Sequence, residues 1–233
     1  MQPDQAGQVA GIHASVLTDS VYTWIGRPFL EYYYRNLLTN PDFACYVYVV
    51  GSEVVGFLAI TSAAGRVFQR QIRKDAIAIA GVLARTIGRE PSKLGVILSA
   101  TRFLFLERPA KLPEAQGEVL SFAVHPDYRT VVADGAGNLR PSDFYSQWRV
   151  PVATELFHAG MEHLSRRGVP DIRIMTPADN TASNRFYAKV GCRLAVRDVR
   201  IFGHATNIYY AAIEQVRSPN ARQLPDQGDE AVR

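Results

Sequence analysis

Three groups in this 233-residue chain sit where they could do proton chemistry: a phenol, an amide and a carboxylate. In the run Asn180-Thr-Ala-Ser-Asn-Arg-Phe-Tyr-Ala-Lys-Val-Gly191, Ser183, Phe186, Tyr187 and Val190 share one helix face. The Tyr187 phenol therefore points inward. With an ordinary pKa near 10 it is protonated at neutral pH and can give a proton to a developing anion; read locally, it is equally a core aromatic. Asn180, at the head of the same run, reads locally as a helix cap. Upstream, Glu118 opens the strand Val119–Val124, which Pro126 stops. A carboxylate there serves as a base if burial raises its pKa, and is otherwise a solvated charge at a strand end.

Other chemistries find little support. His158 and His163 lie five apart on a helix, which puts them on different faces, and His125 has no partner cluster, so no metal is expected and all three histidines are expected in solvent. No nucleophile elbow, Walker or dinucleotide fingerprint occurs. The two cysteines, Cys45 and Cys192, are far apart and read as reduced, buried apolar residues.

The elements that must position these groups alternate in type. Two N-terminal helices are expected, roughly Gln8–Leu17 and Phe29–Leu38, the second behind the breaker Gly26-Arg-Pro28. A hairpin follows, Tyr46–Val50 and Val54–Ile60 around Gly51-Ser52. Between Arg66 and about Pro113 the pattern is helical, with Ala76, Ile79, Ala80, Leu83 and Ile87 as an apolar stripe and a second helix over Leu94–Leu106. After Val119–Val124, an irregular stretch from Thr130 to Ser146 leads to an amphipathic helix with Ala153, Leu156, Phe157, Gly160 and Leu164 on one face and Gly168 beyond its end. Ile172–Met175, a helix over Thr181–Val190, and strands Arg193–Arg200 and Asn207–Ile213 close the domain. The expected layout is one domain over 1–217, an insertion at about 66–113, and a disordered tail over 218–233.

With 47% hydrophobic and 21% charged residues the chain has the make-up of a globular protein, and neither helix of the insertion has the run of apolar residues that spans a bilayer. The N-terminal stretch has no basic-then-apolar leader, so a cytoplasmic location is expected. The net charge of +4 is uneven. Arg66 to Lys111 holds ten Lys/Arg and three Asp/Glu, giving +7, and the rest holds sixteen and nineteen, giving −3. Such a segment suits an anionic small molecule or a solvated helix face; no nucleic-acid partner is expected.

Taken together, Glu118–Arg129, Asn180–Gly191 and Val54–Ser62 resemble the Gcn5-related N-acetyltransferases, which move an acyl group from coenzyme A to an amine. The resemblance implies a mixed α/β (α+β) fold: a mostly antiparallel sheet flanked by helices, with splayed central strands and a helical insertion. It implies acetyl-CoA as acyl donor, the Leu120–Val124 strand (Phe122, Ala123 and Val124 among its residues) pairing with the pantetheine arm, and Asn180 hydrogen-bonding the same arm. Tyr187 becomes the general acid and Glu118 the base. The family's glycine-rich phosphate loop is altered here: Trp148, Pro151 and Ala153 stand at its key places, so the pyrophosphate is expected on Arg129, Arg149 and the amides of Val152, Ala153 and Thr154. The acceptor is expected to be a small-molecule primary amine, an anionic one such as a nucleotide-linked amino sugar being suited to the +7 insertion. The insertion is expected to cap the acceptor site or to form a homodimer arm. Two alternatives stay open: a CoA-binding module with impaired turnover, and an acyltransferase taking long acyl chains or acyl carrier protein.

Overall fold

The structure, a computed structural model, describes residues 1–95, 97–98, 113–128, 131–133, 139–141, 151–201 and 203–216. The chain begins with α1 (Ala6–Val16), α2 (Val21–Ile25) and α3 (Arg27–Leu37). In α1, Ala6, Val9, Ala10 and His13 fall at i, i+3, i+4 and i+7 and all are buried, so a histidine occupies an apolar stripe. The short α2 is absent from the sequence expectation. Its first turn is capped by Ser20, which accepts from the Tyr22 amide, and Gly26 at φ 124° turns the chain into α3 with Pro28 in the first turn.

The hairpin forms as expected from β1 (Phe43–Val50) and β2 (Glu53–Thr61), with Gly51 at φ 59° supplying the left-handed turn. Next comes α4 (Val67–Arg89), interrupted by non-helical dihedrals at Asp75. Its inner face is Val82, Leu83 and Ile87; Ala76 and Ala80, expected in the buried stripe, are exposed. Small alanines hold a helix face only weakly against larger neighbours. Most of the expected second helix of the insertion, and the tail beyond 217, lie outside the described residues.

The remaining elements are β3 (Gly117–Val124), β4 (Val131–Ala133), β5 (Leu139–Pro141), α5 (Val152–Arg166), β6 (Asp171–Pro177), α6 (Thr181–Lys189), β7 (Arg193–Ile201) and β8 (His204–Ala212). β4 and β5 pair with each other antiparallel, inside a stretch expected to be irregular.

The main sheet has six strands in the order β1-β2-β3-β6-β8-β7, antiparallel throughout except where β3 meets β6. β2 and β3 pair from Gly56↔Val124 to Thr61↔Glu118. The parallel pairing of β3 with β6 is much shorter: Gly117↔Ile172, Glu118↔Arg173 and Val119↔Ile174, and then it stops. β6 meanwhile stays with β8 as far as Pro177↔Thr206. The sheet thus parts down its middle. The cause is visible in the β2–β3 register, which passes from Ala59↔Ser121 to Ile60↔Val119 and leaves Leu120 as an extra residue, a bulge that bends the strand.

Each half of the sheet contributes to two cores. One lies under α1–α3 and includes Leu30, Tyr34, Leu37 and Phe57; the other lies under α5 and α6 and includes Leu58, Ile60, Phe157, Leu164 and Ile174. Cys45 and Cys192 are buried thiols outside any disulfide, one in each core.

Candidate active site

Beyond the last β3–β6 pair, Leu120–Val124 and Met175–Pro177 have no strand partner on their facing sides among the described residues. Backbone donors and acceptors inside a molecule need partners, and an extended chain carrying amides satisfies them as an added strand does. Phe122, Ala123 and Val124 all lie on the freed part of β3. The side chains alternate as a strand requires: Ala123 joins the α1–α3 core, while Phe122 and Val124 join the α5–α6 core. Phe122 is half-buried, its ring 5.5 Å from that of Phe186 and 6.5 Å from that of Phe157.

Tyr187 lies one ring behind this contact. It is 5% exposed and packs against Phe157 at 6.2 Å, Phe186 at 5.5 Å and Tyr209 at 5.6 Å. Burial, then the nearby Cys192 and Tyr209, pushes its phenol well above the ordinary tyrosine range. The proton stays on the oxygen at any neutral pH. Its hydroxyl has no hydrogen-bond partner among the described residues, which leaves it a donor without a fixed acceptor.

The helix that carries Tyr187 is anchored where the strands part. Asn180 caps it, its Oδ1 accepting from the Ser183 amide at 3.0 Å, and the Nδ2 group stays available as a donor. Asn184, which sequence reasoning passed over, is the centre of the anchor. Its Nδ2 reaches the carbonyls of Pro177 at 3.0 Å, Ala178 at 3.3 Å and Asn180 at 2.7 Å, and its Oδ1 accepts from Asn207 Nδ2 at 2.9 Å and from the Tyr209 hydroxyl at 3.0 Å. α6 is thereby tied to the free end of β6 and to β8. The only hint in the sequence is a second asparagine one turn after the cap.

The anion site expected at α5 is partly described. The helix opens at Pro151, which has no amide to offer and no capping side chain. Thr154 N–H is already bonded to the Pro151 carbonyl at 2.8 Å, so the amides of this first turn without a partner among the described residues are those of Val152 and Ala153. Arg129 and Arg149 lie outside the described residues.

Glu118 stands at the other end of β3, in the paired stretch. It is 4% exposed, accepts from Arg173 Nη2 at 2.9 Å and from the Gly65 amide at 3.1 Å, and faces the α1–α3 side. The carboxylate and the Tyr187 phenol therefore lie on opposite faces of the sheet and at different heights along β3.

The histidines expected in solvent behave differently from one another. His163 is half-buried and its Nδ1 is 3.0 Å from the Tyr46 hydroxyl, joining α5 to β1; His158 is also half-buried; the His125 side chain is 42% exposed. No group of metal ligands occurs among the described residues, nor any helix long and apolar enough to cross a membrane. Trp24 of α2 and His204 at the head of β8 touch with ring centroids 5.4 Å apart, a side-chain contact between the N-terminal helices and β8.

No protein-family model matches this sequence, and no curated protein does. Solved structures do share its fold. A GNAT-family acetyltransferase from Staphylococcus aureus Mu50 aligns with a TM-score of 0.51 at 10% identity, covering 91% of this chain and 96% of that one. An N-acetyltransferase from the same organism aligns with a TM-score of 0.51 at 13% identity over 90% and 97% of the two chains. A further acetyltransferase gives 0.51 at 12% identity over 91% and 96%. Parted central strands, a bulged β3 and a capped helix carrying a phenol beside the cleft thus sit in the fold of the Gcn5-related N-acetyltransferases.

Proposed function

We propose that this protein is an N-acyltransferase that takes an acetyl group from acetyl-CoA and gives it to the primary amine of a small molecule. The observation that carries the reading is the early end of the β3–β6 pairing after Val119↔Ile174, which leaves two facing strand edges next to α6, the helix that Asn180 caps and that carries the buried Tyr187. An extended, amide-bearing thioester arm suits those edges, with Phe122, Ala123 and Val124 alongside it and Asn180 Nδ2 as a further donor. Val152 and Ala153 offer amides to the pyrophosphate at the head of α5, with Arg129 and Arg149 as the cationic candidates from the sequence. The site holds the two reactants together in a direct transfer: the amine attacks, the thiolate leaves, and Tyr187 returns a proton to sulfur.

The amine must lose its own proton, and Glu118 is the carboxylate that the sequence nominates for it. Its oxygen already serves Arg173 and Gly65, which supports water-mediated rather than direct contact. An amino-sugar or other anionic acceptor rests on the charge of the insertion. There, Arg70 pairs with Asp42 and Lys74 Nζ meets Thr39 Oγ1 at 3.1 Å, at the closed end of the sheet.

The test is calorimetry with acetyl-CoA followed by free-thiol release across a panel of amines. Heat of binding with amine-dependent thiol release is expected. Binding without release from any amine would support a CoA-binding module instead, and absence of both overturns the proposal. Running long-chain acyl-CoA donors beside acetyl-CoA settles the acyl length.

A further inference from the structure

The head of α6 is held by a chain of side-chain amides that runs from β7 to the freed end of β6. Asn207 of β8, 7% exposed, lies opposite Thr176, on the part of β6 beyond its pairing with β3. Its Oδ1 accepts from the Asp198 amide at 3.2 Å, where the β7–β8 register shifts between Val196 and Val199. Its Nδ2 donates to Asn184 Oδ1 at 2.9 Å, and Asn184 Nδ2 donates in turn to the carbonyls of Pro177, Ala178 and Asn180. Neither end of this chain can be reversed, because a backbone N–H only donates and a carbonyl only accepts, so each amide has one allowed orientation. The Tyr209 hydroxyl adds a second donor on Asn184 Oδ1 at 3.0 Å, and the Tyr209 ring lies 5.6 Å from that of Tyr187. The Nδ2 hydrogens and the Oδ1 lone pairs of Asn184 are thus all engaged within the protein. Such a side chain has nothing left to offer a ligand; what it can do is hold others in place.

We propose that Asn184, oriented by Asn207, is a positioning residue with two separable duties: its amide nitrogen fixes Asn180 and the end of β6 for the thioester arm, and its amide oxygen fixes Tyr209 and, through that ring, Tyr187. The duties rest on the acyltransferase reading; the amide chain itself rests on the contacts above. The nitrogen duty follows from the bond to the Asn180 carbonyl at 2.7 Å, which pins the backbone of the residue whose own Nδ2 is the donor offered to the arm. The oxygen duty follows from packing. Tyr209 is 5% exposed and forms one wall against the Tyr187 ring, and its hydroxyl is tethered to Asn184 by the side-chain oxygen at 3.0 Å and the backbone carbonyl at 3.3 Å. A carboxamide suits the position because donors are needed on one side and acceptors on the other; a carboxylate supplies acceptors alone. A displacement of about 1 Å in a reacting group costs up to about a hundredfold in rate, so a fixed hub one ring away from the phenol bears directly on turnover.

Two isosteric variants of the full chain separate the duties. Asn184→Asp keeps the acceptors for Asn207 and Tyr209 and removes the donors to the three carbonyls; it should raise KM for acetyl-CoA by about tenfold with little change in kcat. Asn207→Asp keeps the bond to the Asp198 amide but sets an acceptor against Asn184 Oδ1; it should lower kcat by about tenfold with KM for acetyl-CoA unchanged. Tyr209→Phe, which keeps the ring and loses only the hydroxyl tether, should lower kcat in the same way but less, and it serves should Asn207→Asp not fold. Constants that move together in both variants, or that stay put while stability falls, make Asn184 a structural residue and overturn the proposal. Hydrogen exchange without substrate tests the amide chain separately. In Asn184→Asp the Ser183 and residue-184 backbone amides, both bonded to Asn180 in the wild type, should exchange severalfold faster while those of the β1–β2 hairpin are unchanged. Unaltered exchange at these two amides overturns the chain even where turnover is normal, whereas wild-type protein that releases thiol with no amine brings down the acyltransferase reading and leaves exchange to decide the anchor.

Discussion

The two layers that enclose the sheet are stabilised in different ways. Under α5 and α6 the core is fitted by shape: Leu58, Ile60, Phe157, Met161, Leu164, Ile172 and Ile174 are essentially without exposure, and Gly160 lets α5 lie directly on β2. A side chain of that size contributes roughly 1.5–3 kcal/mol by burial, provided no void remains. Under α1–α3 the same kind of volume is threaded by hydrogen-bonding groups, Tyr34, His13 and Ser20, together with the Glu118–Arg173 pair. A dry layer holds the geometry of the cleft by shape; a polar layer depends on every link being satisfied.

The contrast is broken most severely by removing the Tyr187 hydroxyl from the dry layer. Tyr187→Phe should lower kcat by about a hundredfold, read as free-thiol release, and leave the affinity for acetyl-CoA unchanged. Stability should hold or rise slightly, because the hydroxyl has no hydrogen-bond partner among the described residues and the ring contacts survive. A large stability loss in urea with turnover intact would make Tyr187 a core residue and nothing more.

On the polar side the expected effect is on pH dependence. Folded, His13 takes a proton only near pH 4; unfolded, its imidazole titrates near 6.5, so between these values the unfolded chain binds the extra proton. Stability from this group is complete above about pH 6.5 and declines as pH falls toward 4, by about 3 kcal/mol in total. Urea unfolding at about pH 7.5 and pH 5 should show a slope for the wild type that is much reduced in His13→Asn. Should the variant not fold, the ring's own NMR titration in the wild type serves: protonation near pH 6.5 would refute the account.

The dry layer is tested by a pair of glycines. A Cβ on Gly160 would come within 2.4 Å of Leu58 Cδ2, inside a region with no room to move, whereas one on Gly81 of α4 meets nothing within 4 Å. Overpacking costs about 1–3 kcal/mol and is offset in part by the better helix propensity of alanine, so Gly160→Ala should destabilise by about 1 kcal/mol. Gly81→Ala should stabilise by up to about 1 kcal/mol. Equal shifts in the two midpoints would mean that α5 does not press on β2 as described.

How far the sequence revealed this arrangement depends on whether an element announces itself locally. The hairpin around Gly51, the α5 stripe with Gly168 beyond it at φ 70° and the Asn180 cap were all legible, because each follows from periodicity or a turn residue. The parting of β3 from β6 was legible only through resemblance, since a bulge at Leu120 is a matter of register between strands and leaves no mark in one strand's pattern. His13 and Asn184 went unread for the same reason. His13 sits in an apolar stripe, and what gives it meaning is Tyr34, twenty-one residues away in sequence and 2.6 Å away in space. Asn184 looks like an ordinary polar helix residue until β6, β8 and Asn207 converge on it.

The smallest effect is expected at the surface of α4, where charge in the sequence suggested an anionic acceptor. Arg70 and Lys74 reach the segment before β1, and the Phe43↔Thr61 and Thr61↔Glu118 pairs put that segment at the closed end of the sheet. The cleft opens at the other end, beside Val124 and Pro177. The Arg70 side chain is 60% exposed, and an ion pair that wet is worth about 0–1 kcal/mol. Arg70→Gln with Lys74→Gln should therefore shift stability by less than about 0.5 kcal/mol and leave acceptor KM and kcat unchanged for neutral and phosphorylated amines alike. A rise in KM confined to phosphorylated amines would be the informative exception: it would mean that the acceptor extends from the cleft past the paired end of β3, and that the basic face of α4 belongs to the site after all.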